Sequence, residues 1–163
     1  MKITLVLFFL ELFLPSFIFC QDRVFLCPGV KLGYAFGENG GFIYGIELSL
    51  VNHSDESKLK NIYGVVISID KLKELKKVHI GFEYTIGNND TKFLNGLGFD
   101  IGPTLVWDKD DAYFGGSLTT YHGFIMHPYF TFNLINKNVS FHELGAYLKF
   151  PIMIKGKPIK FGG

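Results

Sequence analysis

The sequence predicts an all-β chain: eight antiparallel strands closing into an up-and-down barrel, preceded by a cleaved signal peptide. Three observations carry this. Period-two alternation of apolar and small or polar residues recurs along the chain, as in "GFIYGIELSL" at Gly41–Leu50. Aromatic residues make up 17% of the chain and glycines number 19, a composition suited to pleated surfaces joined by turns. Short turn-rich stretches separate the alternating runs, which favours pairing of consecutive strands, and closure removes exposed edges.

Residues 1–20 stand apart from the barrel. Met1-Lys2 precedes the apolar run "ITLVLFFLELFLPSFIF", and the composition turns polar at Gln21-Asp22. This is the pattern of a secretory signal peptide, with cleavage expected after Cys20. Glu11 inside the apolar run argues against a retained transmembrane helix. An acylated Cys20 is the rival reading, but "FIF" before it is bulky where a lipoprotein signal has small residues. If Cys20 leaves, Cys27 stands alone as a small apolar filler and no internal disulfide forms.

The remaining chain has room for one domain, the barrel over residues 21–150, with a short tail over 151–163. Eight strands are expected at approximately Cys27–Phe36, Gly41–Asn52, Asn61–Ile69, Val78–Ile86, Gly96–Trp107, Ala112–Gly123, Ile125–Ile135 and Val139–Phe150. "GENGG", "GNNDTK", "DKDD" and "NKN" supply turns between them. "KLKELKK" at Lys71–Lys77 is charged and short, and is read as an open loop or a single helical turn.

The two faces of these strands set the orientation. One parity holds large apolar residues, for example Leu97, Phe99, Ile101, Pro103, Leu105 and Trp107. The other holds Gly, Ala, Ser and Thr with one or two charges per strand, too few for a solvated surface. The bulky parity would also overfill so narrow a barrel. Turning the barrel inside out meets both objections. Phe42, Tyr44, Phe82, Tyr84, Phe99, Trp107 and Phe150 then face lipid or form an aromatic girdle. Lys31, Glu47, Glu83, Asp100, Glu143 and Lys149 form a structural charge cluster in the lumen, with Lys31 as the expected partner of Glu47. Strands of about 9–12 residues suit a tilted bilayer crossing.

"GYAFG" at Gly33–Gly37, "GGFIYGIELS" at Gly40–Ser49, "GFDIGPTLVWD" and "ELGAYLKFP" resemble small uncharacterised outer-membrane β-barrel proteins of Bacteroidota-type bacteria. The resemblance spans most of the mature chain, but its motifs are patterning motifs. It implies a membrane-resident barrel whose last strand, with Leu144, Ala146, Leu148 and Phe150, is read by the outer-membrane insertion machinery. The residues after Phe150 depart from a simple terminal signal.

Chemistry-bearing patterns are sparse. His53, His79, His122, His127 and His142 are scattered, with no HExxH and no paired cysteines, so no metal or cofactor is expected. A formal charge of +1 gives no reason to expect nucleic acid. "NHSDES" at Asn52–Ser57 joins His53 to Ser54, the pair that an outer-membrane lipid hydrolase would use, yet reads more simply as a hydrophilic loop. Sequons at Asn52, Asn89 and Asn138 matter only in a eukaryotic secretory route. The expectation is a non-enzymatic structural or interaction component of the bacterial outer membrane, with the bilayer as its partner. A soluble periplasmic or secreted lipocalin-like barrel with an apolar ligand, and the lipid hydrolase, are the alternatives.

Overall fold

The computed structural model describes residues 23–37, 40–53, 61–87, 96–123, 126–135 and 140–156. The expected signal peptide, Ser54, and the sequons at Asn89 and Asn138 lie outside them. Eight antiparallel strands form a closed barrel: β1 (Arg23–Gly37), β2 (Gly41–His53), β3 (Asn61–Leu72), β4 (Leu75–Gly87), β5 (Gly96–Trp107), β6 (Ala112–His122), β7 (Met126–Leu134) and β8 (Phe141–Lys149). Each strand pairs with the next, and β1 pairs with both β2 and β8, so the sheet closes on itself. Closure gives the backbone donors and acceptors partners around the wall.

Two expectations need correction. "KLKELKK" is neither loop nor helix. Strands β3 and β4 run through it, Leu72 pairs with Leu75, and Lys73 and Glu74 alone form the turn. Lys73 takes a left-handed φ of 50°, which a two-residue hairpin turn needs at its first central position. The charge density hid an alternation in which Leu72, Leu75 and Lys77 face in while Lys71 and Lys76 face out. The next hairpin, after Trp107, is held by Asp108, whose Oδ1 accepts the amides of Asp111 (2.8 Å) and Asp110 (2.9 Å). Those amides hold its carboxyl below the usual range.

The second correction concerns the tail. Ile152–Lys155 forms β9, which pairs with β1 at Leu26, Phe25 and Val24. It continues β8 in the same register: Lys149 faces Gly29, Phe150 N–H donates to the Pro28 carbonyl (2.9 Å), and Ile152 faces Leu26. Pro151, with no N–H to give, interrupts a single long strand. The first strand correspondingly begins at Arg23, ahead of the expected Cys27.

The wall is apolar outside. Phe42, Tyr44, Phe82, Phe99 and Phe150 are exposed, at 60%, 47%, 39%, 39% and 52%, while Tyr84 and Trp107 are half-buried. Phe82 and Phe99 lie mid-wall, and Trp107 closes β5. The interior is layered. Ala35, Ile43, Leu72, Leu75, Val106, Ile135 and Phe141 form an apolar plug at the end holding the β3–β4 turn. Phe25, Cys27 and Val51, with Ile62 and Met153 against them, form a second at the other end. Charged and tyrosyl side chains fill the space between.

Candidate functional site

The polar middle of the barrel is built on glycines that leave room for long neighbours. Lys31 of β1 faces Gly45 of β2, and Gly45 faces Asp70 of β3, which faces Lys77 of β4. A Cβ on Gly45 would overlap the Asp70 carboxylate, so its absence opens the path for Lys31 Nζ to reach Asp70 Oδ2 at 2.8 Å. The same ammonium lies 2.6 Å from Glu143 Oε2. Lys77 bridges Asp70 (2.9 Å) and Glu143 from the opposite side. Two lysines and two carboxylates thus alternate in a ring. Lys31 also sits over the faces of Tyr129 and Tyr147, 4.9 and 5.5 Å from their centroids.

A second group forms one layer away. Lys149 of β8 faces Gly29 of β1, which faces Glu47 of β2. Reaching over Gly29, Lys149 pairs with Glu47 and with Glu83 Oε2 (3.1 Å), and Ser49 Oγ donates to Glu83 (3.0 Å). The expected Lys31–Glu47 pair does not form. Lys31 is a layer nearer the first plug, where Asp70 and Glu143 engage it, and β1–β2 register gives Glu47 to Lys149.

Asp100 stands apart from both groups. It lies directly opposite Glu83 across β4 and β5, an unfavourable like-charge pairing relieved by different partners. His79 Nε2 lies 3.0 Å from both Asp100 oxygens, in space that a side chain on Gly81 would fill. From His79 a chain of hydrogen bonds crosses the lumen. Its Nδ1 meets Thr104 Oγ1 (2.9 Å), Thr104 meets Ser117 Oγ (2.6 Å), Ser117 donates to Asn133 Oδ1 (2.6 Å), and Asn133 Nδ2 donates to Glu143 Oε1 (2.8 Å).

The direction of that chain is fixed at one end. Glu143, held between two lysines, only accepts, so Asn133 turns its amide NH₂ toward it and its oxygen toward Ser117. Ser117 spends its single proton on Asn133, Thr104 therefore donates to Ser117, and His79 Nδ1 must donate to Thr104. His79 Nε2 is then the ring nitrogen turned toward the Asp100 carboxylate, 3.0 Å from each oxygen.

All six residues expected in the lumen are buried there, but in two separate groups with Asp100 in a third. Asp70, Lys77 and His79 complete the network and were not among those expected. His79 already shared the small-residue parity of its strand with Glu83, and the misread turn concealed Asp70 and Lys77. His53 and His127 also face inward, lining a cavity of about 50 Å³ with Phe25, Cys27, Thr85 and Tyr121. His122 and His142 face outward, the latter against Phe130 and Phe132.

The arrangement holds charge rather than presenting it. The lysines, carboxylates and hydroxyls of the two ion groups and the His79 chain engage one another, with an apolar cluster toward each end, and the small cavity beside the second cluster reaches Glu83 and Lys149. No protein-family model, curated protein or solved structure matches the chain.

Proposed function

We propose that this chain is a bacterial outer-membrane β-barrel protein, a non-enzymatic structural or interaction component whose solvent is the bilayer. One observation carries the reading: large apolar side chains occupy the outer wall while lysines and carboxylates are enclosed. In water such a wall would far exceed the few hundred Å² of contiguous apolar surface that soluble monomers expose. In hydrocarbon it costs nothing, and a closed barrel leaves no edge to desolvate. The outward apolar run from Val78 to Ile86 on β4, at a strand rise of about 3.3 Å and a tilt near 40°, covers about 20 Å of depth. That approaches the roughly 25 Å height of an outer-membrane apolar band.

The plugged and salt-bridged lumen supports a structural role over conduction, since an eight-stranded barrel is filled by its own side chains. It also weighs against a lipocalin-like carrier, because a cavity of about 50 Å³ is well below the roughly 300 Å³ at which small-molecule pockets begin. A signal peptide and insertion by the outer-membrane machinery belong to the same reading. The test is membrane fractionation with gel mobility of unheated and boiled samples. Extraction only by detergent, with a mobility shift on boiling, is expected. Recovery in the aqueous fraction without detergent would overturn the proposal.

A further inference from the structure

We propose that Lys71 and Lys76 form a docking site on the outer wall for the phosphate of an anionic lipid headgroup, an inference resting on the outer-membrane reading above. Among the described residues of β1–β8, outward-facing strand positions carry a lysine, arginine or carboxylate at these two places. They are not scattered. Lys71 of β3 lies directly opposite Lys76 of β4. Directly opposed side chains have Cβ atoms about 5 Å apart, and like charges so placed repel. The pair is bracketed by aromatic residues in the same row: Tyr44 faces Lys71 from β2, and Trp107 faces Lys76 from β5.

Among the described residues, none neutralises the two ammonium groups. Their chain neighbours Asp70 and Lys77 point into the lumen and pair with each other at 2.9 Å. Glu74, in the adjacent turn, lies 4.0 Å from Lys109. Asp108 turns its carboxylate onto its own loop amides, Asp111 accepts from Tyr113 Oη (3.4 Å), and Asp110 is exposed in the same turn. Lys71 and Lys76 enter no ion pair among the described residues.

Depth selects the occupant. On either side of the hairpin the next outward residues are Ile69 and Ile67, and Val78 and Ile80, so the lysine pair sits where the apolar band ends. In a bilayer this is the headgroup level, where Lys and aromatic side chains anchor. A phosphate oxygen between the two ammonium groups would relieve their repulsion, and its acyl chains would lie along the isoleucines below. Each lysine near an anionic membrane surface strengthens association about fivefold.

Trp107, the chain's one tryptophan, is a built-in reporter beside Lys76. The full-length protein is refolded into phosphatidylcholine vesicles in which a fixed minority of lipid is acyl-brominated. The brominated lipid is phosphatidylglycerol in one arm and phosphatidylcholine in the other. Trp107 quenching should report enrichment of the anionic lipid that falls about fivefold in Lys71→Gln or Lys76→Gln and vanishes in the double variant. Equal quenching by both lipids, or enrichment unchanged in the double variant, would overturn the site while leaving insertion intact. No quenching by either lipid, with strand circular dichroism retained, would instead overturn the membrane reading on which it rests.

Discussion

Lys149 on β8 and Glu47 on β2 form a buried ion pair although β1 lies between their strands. Gly29, facing both in register, is what lets the lysine cross. Barrel closure is therefore recorded in a side-chain contact, since the pair exists only when β8 meets β1. Breaking it leaves uncompensated buried charge, which costs about 3–5 kcal/mol. Lys149→Glu, which adds a third carboxylate beside Glu47 and Glu83, should abolish the heat-modifiable folded form. Lys149→Met combined with Glu47→Leu and Glu83→Gln should recover much of it. Urea unfolding of the refolded barrel checks both, and normal folding of Lys149→Glu would refute the pairing.

Glycine substitutions should divide by what a Cβ would strike. Gly45→Ala collides with the Asp70 carboxylate and Gly81→Ala with Asp100, so each is expected to lose about 1–3 kcal/mol or fail to assemble. At Gly116 the nearest atom is 3.6 Å away, ordinary contact. Gly116→Ala should be neutral or stabilising by about 0.5 kcal/mol. Equal losses at all three positions would show that the lumen glycines are not acting as space.

The His79 chain makes a spectroscopic prediction. With ¹⁵N-labelled histidine in detergent micelles, Nδ1 of His79 should resonate as a protonated nitrogen at neutral pH. Thr104→Val removes its acceptor, and Asn133→Leu removes the link to Glu143; either should alter that signal. A deprotonated Nδ1 in the unsubstituted protein would contradict the donor order read from Glu143.

At Lys73, the left-handed φ is strained for a residue with a side chain. Lys73→Gly is expected to stabilise the β3–β4 hairpin by up to about 1 kcal/mol, less whatever is lost where the lysine stem covers Gly41. Lys73→Val should destabilise it. Thermal melts of the two variants should move in opposite directions.

Truncation after Phe150 removes β9 and with it the cover over Phe25 and Cys27. Cys27 is buried in the plug that Met153 touches. In a Cys20→Ser background, maleimide labelling of Cys27 should be slow in the full chain and markedly faster in the truncated one. Equal rates would mean that β9 does not seal that end.

The strands, their parity and the closure of the sheet were legible in the sequence because backbone alternation is local. A residue's face is set by its distance along its own strand, so Lys31, Glu47, Glu83, Asp100, Glu143 and Lys149 could be placed together on the small-residue side from position alone. Partner choice is not local. Whether Glu47 meets Lys31 or Lys149 depends on β1–β2 and β8–β1 register together, and on glycines opposite the lysines, which no single strand encodes. "KLKELKK" and Ile152–Lys155 were obscure for a related reason. In one, charge masked a tight turn; in the other, Pro151 masked a strand that exists only because β1 extends far enough to pair with it. The sequence determined which side chains face inward, and tertiary register alone decided which of them touch.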